Sequence, residues 1–207
     1  MQIFLAEKLV LFAVPKTGST ALEVATRSRA SIILRDNNGD RHIGVRGYAR
    51  RWAPFLKRSY DFQGEGVAVI RDPVERLGSW YRYRTRLDPS RNQRSTREIS
   101  FEDFIEAVLE GNGKVAESTG SQHSFLTDTA GKIGATHLFS YDAFEQAIAF
   151  LKDRLDTPLM IERKNVSPEM QLDASLELIG RLRDARADEF ALYDRVAESG
   201  YLHTPPA

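Results

Sequence analysis

KLVLFAVPKTGSTAL, Lys8 to Leu22, is the stretch whose reading decides the fold. From Leu9 to Pro15, six of seven residues are aliphatic, aromatic or Ala, and the seventh is the Pro that closes the run. A short apolar run without alternation marks a strand buried on both faces, as in a parallel sheet. Pro15 has no N–H to give a sheet ladder, so the strand stops there. Gly18 permits a tight turn, Ser19 or Thr20 can cap a helix, and Ala21 to Arg29 reads as that helix. Strand, short loop and helix start bring backbone N–H groups and the positive end of a helix dipole to one spot, the requirement for holding an anion. Lys16 adds a full charge there. The same six residues, Pro15 to Thr20, also fit an ordinary βα turn. They do not match GxxxxGK[ST]: the first Gly is missing and the Lys precedes the Gly, which weighs against a nucleoside triphosphatase.

A second continuous apolar run, GVAVI from Gly66 to Ile70, reads as another central strand. RDPVERLGSWY, Arg71 to Tyr81, comes directly after it. Pro73 suits a first helical position and Asp72 the residue before it, so a helix begins here. Arg71 then sits at the carboxyl end of a strand, where open α/β sheets bind ligands. Ser79 lies about two turns further on. An Arg fork and a Ser hydroxyl at that separation can grip one phosphate, although the same residues also fit a solvated amphipathic helix.

PKTGST after an apolar strand resembles the 5′-phosphosulfate loop of sulfotransferases that use 3′-phosphoadenosine 5′-phosphosulfate (PAPS). RDPxxRxxSxY resembles the 3′-phosphate motif of the same family, and the two occur in the family's order. The likeness extends thinly further. Gly120 to Leu126, GSQHSFL, is a partial match to a stretch found before a late strand in the Golgi-type and related bacterial members, with Ser121 in place of a Pro. Lys164 to Ser167 is similar to their Asn-x-Ser element, and the Asp-Glu-Phe-Ala-Leu-Tyr-Asp ending at 188–194 to their last helix. The fold implied is a three-layer, P-loop-like α/β domain over residues 1–207, with a central, mostly parallel sheet flanked by helices.

Composition is consistent with that expectation. A chain of 207 residues makes one well-buried domain. Lys+Arg and Asp+Glu balance at 29 each, so no global charge points to nucleic acid or membrane. With no Cys, disulfide and thiolate chemistry are excluded. The four His, at 42, 123, 137 and 203, show no metal-binding spacing. Glu7 and Lys8 interrupt the apolar N-terminus before it could span a membrane, and it lacks the marks of a signal peptide, so a cytoplasmic location is expected.

Periodicity marks further elements. Ser31–Leu34 reads as a short strand, Asn37–Asp40 as a turn, and Ile43–Lys57 as an Arg-rich helix limited by Pro54, with Tyr48, Trp52 and Phe55 as candidate buried positions. Ser100 with Asp103 opens a helix to Glu110 in capping-box style. Thr136–Ser140 is a strand, Tyr141 to about Leu155 a helix, and Leu172–Arg183 and Asp188–Ser199 a final helical pair before a tail frayed from His203. Arg82 to Arg97 holds six Arg against one acid, Asp88, and reads either as a solvated or disordered loop or as a landing strip for an anionic acceptor.

The resemblance implies transfer of a sulfuryl group from PAPS to a hydroxyl-bearing acceptor, an anionic saccharide among the candidates, without metal. Lys16 would stabilise the leaving phosphate, with Pro15, Thr17, Gly18, Ser19 and Thr20 around the 5′-phosphate and Arg71 and Ser79 on the 3′-phosphate. His42, where related enzymes carry a Lys-His pair and this chain has Arg41-His42, is the first candidate for general base; Glu23 and His123 are the next. The alternatives are an ATP-dependent kinase of P-loop type and a non-catalytic module that binds PAPS or its product PAP.

Overall fold

The computed structural model describes residues 1–35, 40–111, 113–161, 170 and 172–205. Residues 37–39 of the turn expected at Asn37–Asp40, and the Lys164–Ser167 element, lie outside these. The chain divides into two compact units, Met1–Arg71 with Gln122–Lys164 and Leu192–Ala207, and Asp72–Ser121 with Asn165–Ala191.

The first unit is an α/β unit around a six-stranded open sheet, built from β1 (Gln2–Phe4), β2 (Leu9–Leu11), β3 (Ile32–Ile33), β4 (Glu65–Ile70), β5 (His137–Ser140) and β6 (Tyr201–His203). Their spatial order is β3-β1-β2-β4-β5-β6. β2, β4 and β5 run parallel, in register Leu11↔Val67 and Val69↔Phe139. β1 pairs antiparallel with both β2 and β3, and β6 pairs antiparallel with β5. The expected mostly parallel sheet is therefore corrected to a mixed one, parallel only at its centre.

The central strands are mostly apolar because both faces are covered. Val10, Phe12, Ala68, Ile70 and Leu138 point to one face, where Val45 and Tyr48 of α2 (Val45–Arg51), Leu56 of α3 (Ala53–Tyr60), Leu126 and Val196 cover them. Their neighbours Leu9, Leu11, Val67, Val69 and Phe139 point to the other, against Leu22 of α1 (Ser19–Ala25) and Ala147 and Leu151. Strand alternation thus feeds two cores from one run.

Three expectations change here. The single helix read at Ile43–Lys57 is two, α2 and α3, meeting at Trp52, because Pro54 fits only a first turn. Leu56 rather than Phe55 is the buried position; Phe55 is exposed. The tail does not fray at His203: β6 includes it, and Thr204 N donates to Thr136 O at 2.8 Å.

The second unit is helical, with α4 (Pro73–Arg84), α5 (Phe101–Glu110), α6 (Gly113–Ala116), α9 (Leu176–Ala185) and the start of α10 (Ala187–Ala197); α7 (Gln122–Leu126) and α8 (Phe144–Arg154) belong to the first. Asp72 caps α4 by accepting from Val74 N and Glu75 N, and Ser100 and Asp103 form the expected capping box of α5. Leu77, Tyr81, Phe101, Phe104, Ile105, Leu178, Leu182 and Phe190 make its core. Arg76 is buried in this unit against Glu189 at 3.3 Å, with Thr119 O and Gly120 O as further acceptors, and burial lowers its pKa. Among the described residues, no helix is long and apolar enough to cross a membrane.

Candidate functional site

Three neighbouring parallel strands end at one edge of the sheet, and each hands over to a segment with chemistry. After β2 come Phe12–Val14 and the loop Pro15–Thr20; after β4 comes Arg71; after β5 comes Tyr141. This is the edge at which open α/β sheets hold ligands.

The loop is shaped by two left-handed residues, Lys16 at φ 69° and Gly18 at φ 74°. Gly18 is itself the N-cap of α1, and no side chain caps the helix; Ser19 and Thr20, expected as caps, are already helical. A Cβ on Gly18 would stand 2.8 Å from Phe144 Cε2 and 3.2 Å from Tyr141 Cε2, so only Gly fits there. Thr17 faces inward: it is buried, and its hydroxyl donates to Val14 O at 3.0 Å. That hydroxyl holds the loop's shape, whereas Lys16 and Thr20 are half-buried and Ser19 lies just under the surface. A non-glycine residue held in the left-handed region persists where its surroundings over-determine it, as ligand-gripping loops do.

Arg71 is held from two sides. Its main-chain N–H donates to Gln122 Oε1 at 2.9 Å, and its carbonyl accepts from Gln122 Nε2 at 2.8 Å. Its guanidinium carbon lies 4.5 Å from the centre of the Tyr141 ring. Tyr141 is the ring that Gly18 packs beneath. Loop, ring and arginine are thus contiguous.

On α1, Thr20 and Glu23 meet Arg41. Arg41 Nη2 donates to Thr20 Oγ1 at 2.7 Å and to Glu23 Oε2 at 2.8 Å, and its Nε to the same carboxylate oxygen at 3.0 Å. Glu23 also accepts from the amino group of Met1 at 3.0 Å. The Glu23 carboxylate is therefore engaged as an ion-pair partner of Arg41 and the Met1 amino group. His42 Nδ1 lies 2.7 Å from Ala13 O, at the mouth of the loop. A carbonyl only accepts, so Nδ1 carries the hydrogen and Nε2 is the basic nitrogen of the neutral ring. His123 is half-buried on α7, beside Gln122 in sequence.

Ser79 sits half-buried on α4 in the second unit. The Arg82–Arg97 stretch continues past α4 as irregular chain whose arginines are engaged by that unit itself. Arg84 is buried, bonds the carbonyls of Val115 and Glu117 and lies 4.8 Å from the Trp80 ring centre, and burial pushes it down to about 10. Arg94 pairs with Glu117 at 2.7 Å, Arg82 with Glu75 at 3.7 Å, and Arg97 donates to Thr85 O. These contacts make the stretch partly interior rather than a solvated loop. Gln122 and Tyr141 were not legible as site residues, since their roles depend on the tertiary fold alone; the partial motif around Gln122 was the one available hint.

Among the described residues, no group of three or more His, Asp or Glu is placed to hold a metal ion. The edge offers cations (Lys16, Arg41, Arg71), an oriented imidazole and hydroxyls, a set suited to a polyanionic ligand and to proton acceptance from a hydroxyl. No family model matches the chain, and neither a curated protein nor a solved structure matches it.

Proposed function

We propose that this chain is a PAPS-dependent sulfotransferase with a P-loop-like first unit, acting on a hydroxyl-bearing acceptor. One observation carries the reading: the PKTGST loop and Arg71, the centres of two motifs well separated in sequence, issue from adjacent parallel strands at one edge and meet across Tyr141. In this reading the loop amides and the Ser19 and Thr20 hydroxyls hold the 5′-phosphate, and Arg71 holds the 3′-phosphate. Lys16 stabilises the negative charge that grows on the bridging oxygen as the S–O bond to the phosphate breaks. The new bond forms to the acceptor oxygen, whose proton passes to His42 Nε2, and PAP leaves. Positioning and charge stabilisation do most of this work, as in phosphoryl transfer.

The test is thermal unfolding with PAP, ADP and ATP, each with and without magnesium, on wild type and Arg71→Ala. A ligand at about 100 times its Kd stabilises by roughly 2.7 kcal/mol, several degrees at this chain length. PAP should raise the Tm without magnesium, and Arg71→Ala should abolish the rise. A shift with ATP and magnesium but none with PAP rejects the proposal in favour of a kinase-like enzyme. Transfer of labelled sulfuryl from PAPS, lost in His42→Ala with PAP binding retained, then separates an enzyme from a binding module.

A further inference from the structure

We infer that Gln122 is a positioning residue whose side-chain amide sets Arg71 for its ligand. The inference rests on the sulfotransferase reading for what Arg71 grips, though not for how Arg71 is held.

β4 ends at Ile70, whose ladder partner on β5 is Ser140, so Arg71 is the first residue past the ladder. Its main-chain donor and acceptor still need partners, because the site around them is partly buried. Gln122 supplies both, accepting from N–H at 2.9 Å and donating to C=O at 2.8 Å, and is itself 2% exposed. Only a side-chain amide offers an acceptor and a donor in one plane at the spacing of a peptide group. Gln122 thus acts as one more residue of a neighbouring strand, placed where no strand continues. With its backbone fixed, Arg71 directs its guanidinium over Tyr141 at 4.5 Å. A long cation loses much rotamer freedom when it closes on a ligand, and one already fixed at both ends loses less on binding. Gln122 acts on the ligand through Arg71, and its effect is confined to whatever Arg71 contacts.

The experiment has two arms on the full chain, using Gln122→Met, which keeps length and loses both hydrogen bonds, and Gln122→Asn, which keeps the amide one methylene short and guards against a misfolded first variant. In the unliganded protein, NMR of the Arg71 side chain should show upfield ring-current shifts from Tyr141 in wild type, lost in both variants. In calorimetry, Gln122→Met should weaken PAP on the order of 10- to 100-fold, the range expected when a ligand-holding group is misplaced. Binding of 5′-AMP, which lacks the 3′-phosphate, should not change. In an Arg71→Ala background the Gln122→Met substitution should have no further effect on PAP, while a merely structural role would weaken both nucleotides alike and persist in that background. Equal loss of both nucleotides, or ring-current shifts that survive in both variants, overturns the inference. Wild type that binds no PAP rejects the sulfotransferase reading instead, and the NMR arm then decides the role of Gln122 alone.

Discussion

Lys16 can be replaced by Ala or by Gly, and the order of stability of the two variants tests whether the loop's backbone is as described. Lys16 has φ 69°. A residue with a Cβ in the left-handed region is disfavoured by about 1–2 kcal/mol, and Gly escapes this. At an ordinary position Ala is the more stable of the two by about 0.5–1 kcal/mol, because the unfolded Gly chain is freer. At position 16 the relief exceeds that entropy, so Lys16→Gly should be more stable than Lys16→Ala by roughly 0.5–1 kcal/mol. For 207 residues this is about 1–4 °C, measurable by calorimetry on paired samples and by the urea midpoint. Both variants lack the ammonium, so neither should respond to PAP as wild type does. An Ala variant at least as stable as the Gly variant would refute the left-handed assignment, and with it the argument that the loop is held in a strained, preorganised shape.

Three further outcomes are expected. Gly18→Ala should lower stability by about 2 kcal/mol or more, from φ 74° and the 2.8 Å approach to Phe144, read as a fall in Tm of several degrees. His137, buried beside Glu65 (Nε2 to Oε2 3.3 Å), Tyr201, His203 and Arg154, has its pKa held below its ordinary 6.5, chiefly by desolvation. The unfolded chain then binds more protons below pH 6.5, so urea stability should drop as pH falls through that value, and His137→Gln should flatten this segment of the profile. Glu65, lowered chiefly by its bond from Arg154, contributes its own loss only further down, below its ordinary 4.5. Glu189→Ala should cost about 3–5 kcal/mol by stranding the buried Arg76, while Arg76→Met with Glu189→Leu should unfold at a midpoint much closer to wild type; equal midpoints for the two variants would contradict the buried pair.

What the sequence disclosed and what it hid have physical reasons. β2 and β4 were legible because burial on both faces writes an unbroken apolar run, as in Leu9–Val14 and Gly66–Ile70. β1 and β6, three residues each, carry no such run, and Gln2 and His203 blur what pattern there is. The caps of α4 and α5 could be read because an Asp before Pro, or a Ser three before Asp, acts locally. Lys16 and Arg71 stood out through their place after strands. The grip of Gln122 on a residue 51 positions away and the ring shared by Gly18 and Arg71 could not, for they exist only when the strands are side by side. The Arg-rich 82–97 stretch looked like a surface and is partly interior, since burying Arg84 depends on carbonyls offered by Val115 and Glu117.

Tyr141 has a consequence for how this chain can vary. One face of the ring region limits what position 18 can carry, and the ring also supports the cation at 71. Changes at 18, 71, 141 and 144 are therefore not independent moves: a side chain added at 18 demands room taken from 141 or 144, and room taken from 141 removes the bed under Arg71. Any route through sequence space that remodels this edge must alter several of these positions together, so single substitutions there should read as losses even where a combined set is tolerated.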